Sequence, residues 1–247
     1  MKNKFKPFII TAIVLVSVMA IMGGLLYCGV IHINNPELKS LKVRGVDVSS
    51  YQGDIDWSLL TSQDIDFAYI KATEGSSHQD PCFDRNWHDA SETDIRIGAY
   101  HFFSFESGGD TQAQNFINTV EAVDNMLPPV IDVEYYGSFG SVETINVDEI
   151  RNNLRIMVDA LTEAYGMKPV IYVSEDSYRT IVQGSFDDCG LWYRSVYSGV
   201  PDDVEWTFWQ YSNRHRLQGY DGEEVFIDMN VFNGNEDEFD SFELAGM

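Results

Sequence analysis

The chain has 247 residues, 44% of them hydrophobic and 13% aromatic, enough for one large core of single α/β barrel size. Its formal net charge of −23 argues against a nucleic-acid binder, because phosphate recognition needs clustered Lys and Arg. The charge is uneven: residues 1–43 hold five lysines and one acid, leaving 11 basic and 38 acidic residues, a net of −27.

In chain order, "MKNKFK" supplies three lysines, and Phe8 to Ile31 is then uncharged and mostly apolar. Those residues, at about 1.5 Å each, can cross a hydrocarbon core of roughly 30 Å. The lysines favour keeping residues 1–7 in the cytoplasm, with 8–31 as a single-pass anchor in the cell membrane and the rest outside. A cleaved signal peptide, releasing a secreted protein, is the alternative, since Val18-Met19-Ala20 loosely resembles a cleavage site. The apolar run continues through "IMGGLLYCGVI", which favours the anchor. Residues 32–43 read as a short linker. A disulfide between Cys82 and Cys189 is chemically permitted outside the cell, and sequence leaves it open. No Cys/His cluster has zinc spacing, so neither a metal nor a cofactor is expected.

From residue 43 the strand candidates are "VRGVDVS" (43–49), "DFAYIKA" (66–72), "RIGAYHFF" (96–103), "PPVIDVE" (128–134) and "KPVIYVS" (168–174). Between them, helices are expected from Thr111 to Val123 with Asp110 as N-cap, and from Asp148 to Tyr165 stopping at Gly166. Shorter helices are expected near 56–62, 84–92 and 176–182. Then "LWYRSV" (191–196), "WTFWQYS" (206–212) and "EVFIDMNVF" (224–232) read as three strands with no room for full helices between. Five β-α units and three strands make eight, the number that closes a parallel barrel.

The chemistry gathers at strand ends. Asp132 and Glu134 stand two apart, so a strand aims both to one face. At the C-terminal rim of a barrel they would repel one another, raising at least one pKa and leaving a carboxyl able to donate a proton. Cleaving a glycosidic bond needs such a pair: an acid for the leaving oxygen and an anion for the developing positive charge. Asp47 ends the first strand and Asp228 lies near the end of the last. Closure would bring them to the same rim. Tyr51, Tyr100, Phe102, Tyr172, Trp192, Tyr193, Trp209 and Tyr211 gather near these ends, and aromatic rings make good surfaces for sugars.

The ordered set "GVDVSSYQGDIDW", "YIKATEG", "GAYHFF", "PPVIDVE", "WQY" and "IDMNVFNG" resembles the family-25 glycoside hydrolases, lysozymes of the N-acetylmuramidase type. The resemblance spans roughly residues 44–236. It implies an irregular TIM-like (β/α)5(β)3 barrel over 44–236, followed by a tail at 237–247. It further implies peptidoglycan strands as substrate, with Glu134 as general acid/base. Asp132 would stabilise either the transition state or a substrate acetamido group, and Asp47 and Asp228 would be the other active-site acids. Tyr100, Trp209 and Tyr211 fall in motifs that line the family's groove. Lys71 and Glu74 match too, with an ion pair buttressing the barrel at least as good a reading as catalysis, and His101 reads as a satisfied structural histidine. "LWYRSVY" departs from the pattern, which has a small residue after the "LW" pair; Arg194 and Ser195 could alter a subsite, or Arg194 could pair with one of the acids. No nucleic-acid partner is expected, and the protein reads as a monomer. The competing reading is a non-catalytic glycan-binding barrel tethered to the membrane as a wall adaptor.

Overall fold

The computed structural model describes residues 5–34, 36 and 41–243. The apolar N-terminal run forms α1 (Phe5–Tyr27). Among the described residues this is the one helix long and apolar enough to span a bilayer, over Phe8–Tyr27. It stops before Ile31 for a local reason. Gly29 takes a left-handed φ of 64°, and a Cβ there would collide with the Arg214 carbonyl. The chain then folds onto the barrel instead of continuing outward.

The expected strands form in order: β1 (Arg44–Val48), β2 (Phe67–Glu74), β4 (Arg96–Phe102), β5 (Val130–Val133), β6 (Val170–Val173), β7 (Gly190–Arg194), β8 (Phe208–His215) and β9 (Ile227–Phe232). A two-residue β3 (His78–Gln79), too short to leave a sequence signature, hairpins onto the end of β2. The eight longer strands close into a barrel, with β1 paired to both β2 and β9. The first seven of them run parallel. The last corrects the parallel expectation: β9 is antiparallel to both β1 and β8. The loop between β8 and β9 carries no helix to return the chain to the bottom of the barrel, so β9 descends from the top.

The helices are α2 (Trp57–Thr61), α3 (Phe83–Ser91), α4 (Gly109–Thr119), α5 (Val147–Tyr165), α6 (Glu175–Ser177) and α7 (Glu236–Asp240). In α5, Asn146 caps the N-terminus by accepting from Glu149 N–H, and Gly166 ends it at φ 70°. α4 starts two residues earlier than expected and ends four earlier. Gly108 holds the cap position, so Asp110 lies inside the first turn. α6 is a single turn running into a π-turn over Tyr178–Val182.

Strand alternation builds two cores. Val46, Ile70, Ile131, Val133, Ile171 and Val173 face outward onto the helices with Leu154, Met157 and Val158 of α5. Phe67, Tyr69, Val130, Trp192, Phe208 and Phe232 fill the barrel lumen. Gly45 and Gly98 make that filling possible: a Cβ at either would overlap the ring of Phe67 or Tyr69. α7 closes the lumen's lower end with Phe239, held by Arg96 donating to the Phe239 and Phe242 carbonyls. The described part of the expected tail is therefore a plug. Cys82 and Cys189 are both free thiols, and burial pushes Cys189 up to about 12.

Candidate active site

With the bottom of the lumen plugged, its upper end is polar. Asp47 is the fourth residue of β1 and lies opposite Asp228 in the β1–β9 register. Because β9 runs downward, Asp228 reaches the rim from the start of its strand, not near the end. Asp132 sits in β5 between Phe102 and Tyr172 of the flanking strands, and Glu134 is the first residue past Val133. All four acids line one cavity of about 160 Å³, with Tyr100, Val130, Tyr172, Trp192 and Gln210. It opens into a groove of about 590 Å³ bordered by Tyr51, Phe102, Tyr136, Lys71, Arg194, Glu224 and Phe226. A larger depression, about 960 Å³, lies at the opposite end around Asp66, Asp94 and Arg96; none of the four rim acids reaches it.

The acids have unequal surroundings. Asp47 accepts from Asn230 Nδ2 at 2.8 Å and Gln210 Nε2 at 2.9 Å. The same Gln210 amide reaches Asp228 Oδ2 at 3.3 Å, and its own oxygen accepts from the Tyr172 hydroxyl at 2.9 Å. Trp192 Nε1 donates to Asn230 at 2.9 Å. Asp132 is buried, and its Oδ1 has no hydrogen-bond partner among the described residues. Glu134, half-buried, stands at the mouth.

Burial raises the pKa of every member of this set. Asp132 is pushed well above the usual carboxylate range by burial and then by Glu134 beside it. Asp228 is pushed similarly far, by burial and then Asp47. Glu134 is also raised by burial, with the Arg194 guanidinium holding it down. Asp47 is raised by burial against the hydrogen bonds it accepts. Both carboxyls of the 132/134 pair are therefore shifted toward their protonated forms, by burial above all.

Of the eight aromatics expected at the site, Tyr100, Tyr172 and Trp192 line the cavity, and Tyr51 and Phe102 line the groove. Tyr193, Trp209 and Tyr211 lie elsewhere. They are the odd neighbours of inward-facing Trp192, Phe208 and Gln210, so the two-residue strand period turns them outward. Tyr193 packs edge-on to Tyr178, Trp209 packs on Trp206 and donates to the Ser195 carbonyl, and Tyr211 meets the segment after α1. The same period could have revealed Gln210 and Asn230, which sequence reading missed: Asn230 follows Asp228 by two.

Lys71 pairs with Glu74 at 2.8 Å and lies over the Phe102 ring. His101 is buried between Thr73 Oγ1 at 2.7 Å and Gln112 at 3.1 Å, and burial lowers it to about 4. It ties β4 to β2 and α4, away from the cavity.

The family model of glycosyl hydrolases family 25 matches residues 46–220. The chain belongs to that family. It is 43% identical to a solved family 25 glycosyl hydrolase from Bacillus anthracis, with a TM-score of 0.80 over 88% of this chain and 98% of that one. A lysozyme structure from Streptomyces coelicolor aligns at 31% identity and TM-score 0.72, over 81% and 95% of the two chains. Lysozyme M1 of Streptomyces globisporus is 34% identical over 208 residues, 78% of this chain and 68% of that protein. The family 25 barrel described above is thus a glycoside hydrolase with its carboxylates at the rim.

Proposed function

We propose that the enzyme is a muramidase, hydrolysing the β-1,4 bond between N-acetylmuramic acid and N-acetylglucosamine in peptidoglycan. The lysozyme relatives support the substrate class. The observation that carries the mechanism is Asp132 Oδ1, buried without a donor beside the more accessible Glu134. That oxygen can accept the acetamido N–H of a sugar bound in the cavity. An N–H bond to the carboxylate stabilises its ionised form and lowers its pKa. Substrate binding therefore favours ionised Asp132, leaving Glu134 to carry the proton that reaches the glycosidic oxygen.

Glu134 then protonates that oxygen as the C1–O bond breaks. Ionised Asp132 orients the acetamido group, whose carbonyl oxygen can meet the positive charge at C1. Deprotonated Glu134 next takes a proton from water as it attacks C1, restoring the starting state. Asp47 and Asp228, bridged by Gln210, set the field around the cleft, and Tyr100 and Tyr172 wall the sugar.

The same proposal places the protein in the cell membrane through α1, with residues 44–236 outside as the catalytic barrel. Support comes from the length and apolarity of α1 and from the three lysines before Phe8.

The test is digestion of peptidoglycan by the full chain in detergent micelles, with mass spectrometry of the products. Fragments with reducing-end N-acetylmuramic acid are expected, and reducing-end N-acetylglucosamine would refute the bond assignment. Glu134→Gln should lower kcat by about 10³-fold, within the roughly 10²–10⁴-fold range of general acid catalysis. Near-normal turnover in that variant would remove Glu134 from its role.

A further inference from the structure

Six acids border the cavity and groove: Asp47, Glu74, Asp132, Glu134, Glu224 and Asp228. Among the described residues, only two cations share that wall. Lys71 is already committed to Glu74. Arg194, the last residue of β7, is half-buried and makes no side-chain hydrogen bond or ion pair among the described residues. A half-buried guanidinium with its donors unused is unusual in a groove this acidic, because a carboxylate fork is its natural partner. None of the acids takes that position, although Arg194 is close enough to Glu134, Asp47 and Asp228 to favour their ionised forms.

We infer that Arg194 is a carboxylate-binding residue of the groove, which selects glycans carrying a free carboxylate on or next to the muramyl sugar in the cleft. The role presupposes that the cleft takes a muramyl glycan, as proposed above. A surface of this sign repels an anionic chain, so one uncommitted guanidinium decides where an anion can sit. Two sources share the required chemistry. The 3-O-lactyl group of N-acetylmuramic acid bears a free carboxylate where the stem peptide has been removed. Where the peptide is present, the lactyl carboxyl is an amide and the stem's own carboxylates take its place. The first source would put this enzyme after an amidase reaction that strips the peptide, since only that chemistry exposes the lactyl carboxylate.

Binding, rather than turnover, separates this role from the influence of Arg194 on the acids. The full-length Glu134→Gln protein in micelles is titrated calorimetrically with three probes. These are the neutral tetrasaccharide of N-acetylglucosamine, the peptide-free tetrasaccharide of alternating N-acetylglucosamine and N-acetylmuramic acid, and the same sugar bearing stem peptides. Adding Arg194→Gln should weaken a carboxylate-bearing probe at least about tenfold more than the neutral one, and Arg194→Lys should recover part of that loss. Selective loss on the peptide-free probe assigns the lactyl carboxylate; selective loss on the peptide-bearing probe assigns the stem. With Arg194 intact, added salt should weaken the charged probe and spare the neutral one. Equal losses on all three probes, with no difference in salt response, overturn the role of Arg194 while leaving the muramidase reading standing. A Glu134→Gln protein that binds none of the three overturns both.

Discussion

Asp132 is the most constrained residue of the cleft: buried, flanked by Glu134, and with one oxygen lacking a donor. Its raised pKa has a consequence for stability. The folded protein binds this proton more tightly than the unfolded chain, whose aspartates titrate near 3.8. The contribution is fully present below 3.8 and is lost as pH rises through the higher folded value. At neutral pH burying this carboxyl, which is ionised in the unfolded chain, therefore works against folding, as a functional carboxylate often does. Asp132→Asn, which keeps the shape without the charge, should raise Tm at pH 7 by a few degrees. About 1 kcal/mol moves Tm by roughly 2–4 °C in a domain of this size. The gain should fade in scans at successively lower pH and vanish below 3.8. Asp188 behaves oppositely. Arg155 at 2.9 Å and Lys168 at 2.8 Å hold its pKa down, so its contribution is present at neutral pH and is lost on acidification. A variant less stable than the parent at pH 7 would mean that Asp132 finds its compensation within the fold.

Each strand contributes one inward row to the cleft, and that row explains both what the sequence made legible and what it hid. The acids were readable because a D-x-E after "PPVI" leaves little choice of face, and Val133 does point into the outer core. Phase was harder in the aromatic strands. "LWYR" and "FWQY" offer large rings on both faces, and composition cannot tell lumen from helix layer when each is apolar. Only the closure, which turns Phe208 and Gln210 inward, decides that Trp209 belongs outside. The direction of β9 was hidden for a similar reason: a short strand reads the same from either end. The inward row of β6 and β8 also yields a prediction. The Tyr172 hydroxyl fixes the Gln210 oxygen, which turns the Gln210 amide toward Asp47 and Asp228. Tyr172→Phe removes that anchor, and a hydrogen bond of about 1 kcal/mol corresponds to roughly fivefold in an equilibrium or rate. Release of reducing ends should show kcat/KM about fivefold to tenfold lower in Tyr172→Phe. Unchanged kinetics would mean that Gln210 holds its orientation without β6.

At the scale of the whole molecule, the described residues that follow α1 pack against the barrel. Asn34 Nδ2 donates to the Ser195 and Tyr211 carbonyls at 3.0 and 2.9 Å, and Arg214 donates to the Tyr27 carbonyl at 2.8 Å. His32 stacks on His215 with ring centroids 3.6 Å apart, and Pro36 is buried. The end of α1 is thereby fastened to the outer face of β8, whose Asn213 also borders the groove. Removing the segment should expose Tyr211 and His215 and cost stability. Residues 41–247 should melt below residues 28–247 by roughly 4–8 °C, taking about 2 kcal/mol for the two Asn34 hydrogen bonds together with the stacked and buried groups. That difference should itself depend on pH. Burial lowers the pKa of His32, and burial with His32 and Arg44 nearby lowers His215 to about 3. Both imidazoles bind protons less readily when docked than in the unfolded chain, where they titrate near 6.5. The docking contribution is therefore complete above 6.5 and declines as pH falls below it. Paired melting curves across that range test the point: a constant difference would mean that the histidine stack contributes nothing, and no difference at any pH would mean that the segment does not hold to the barrel in solution.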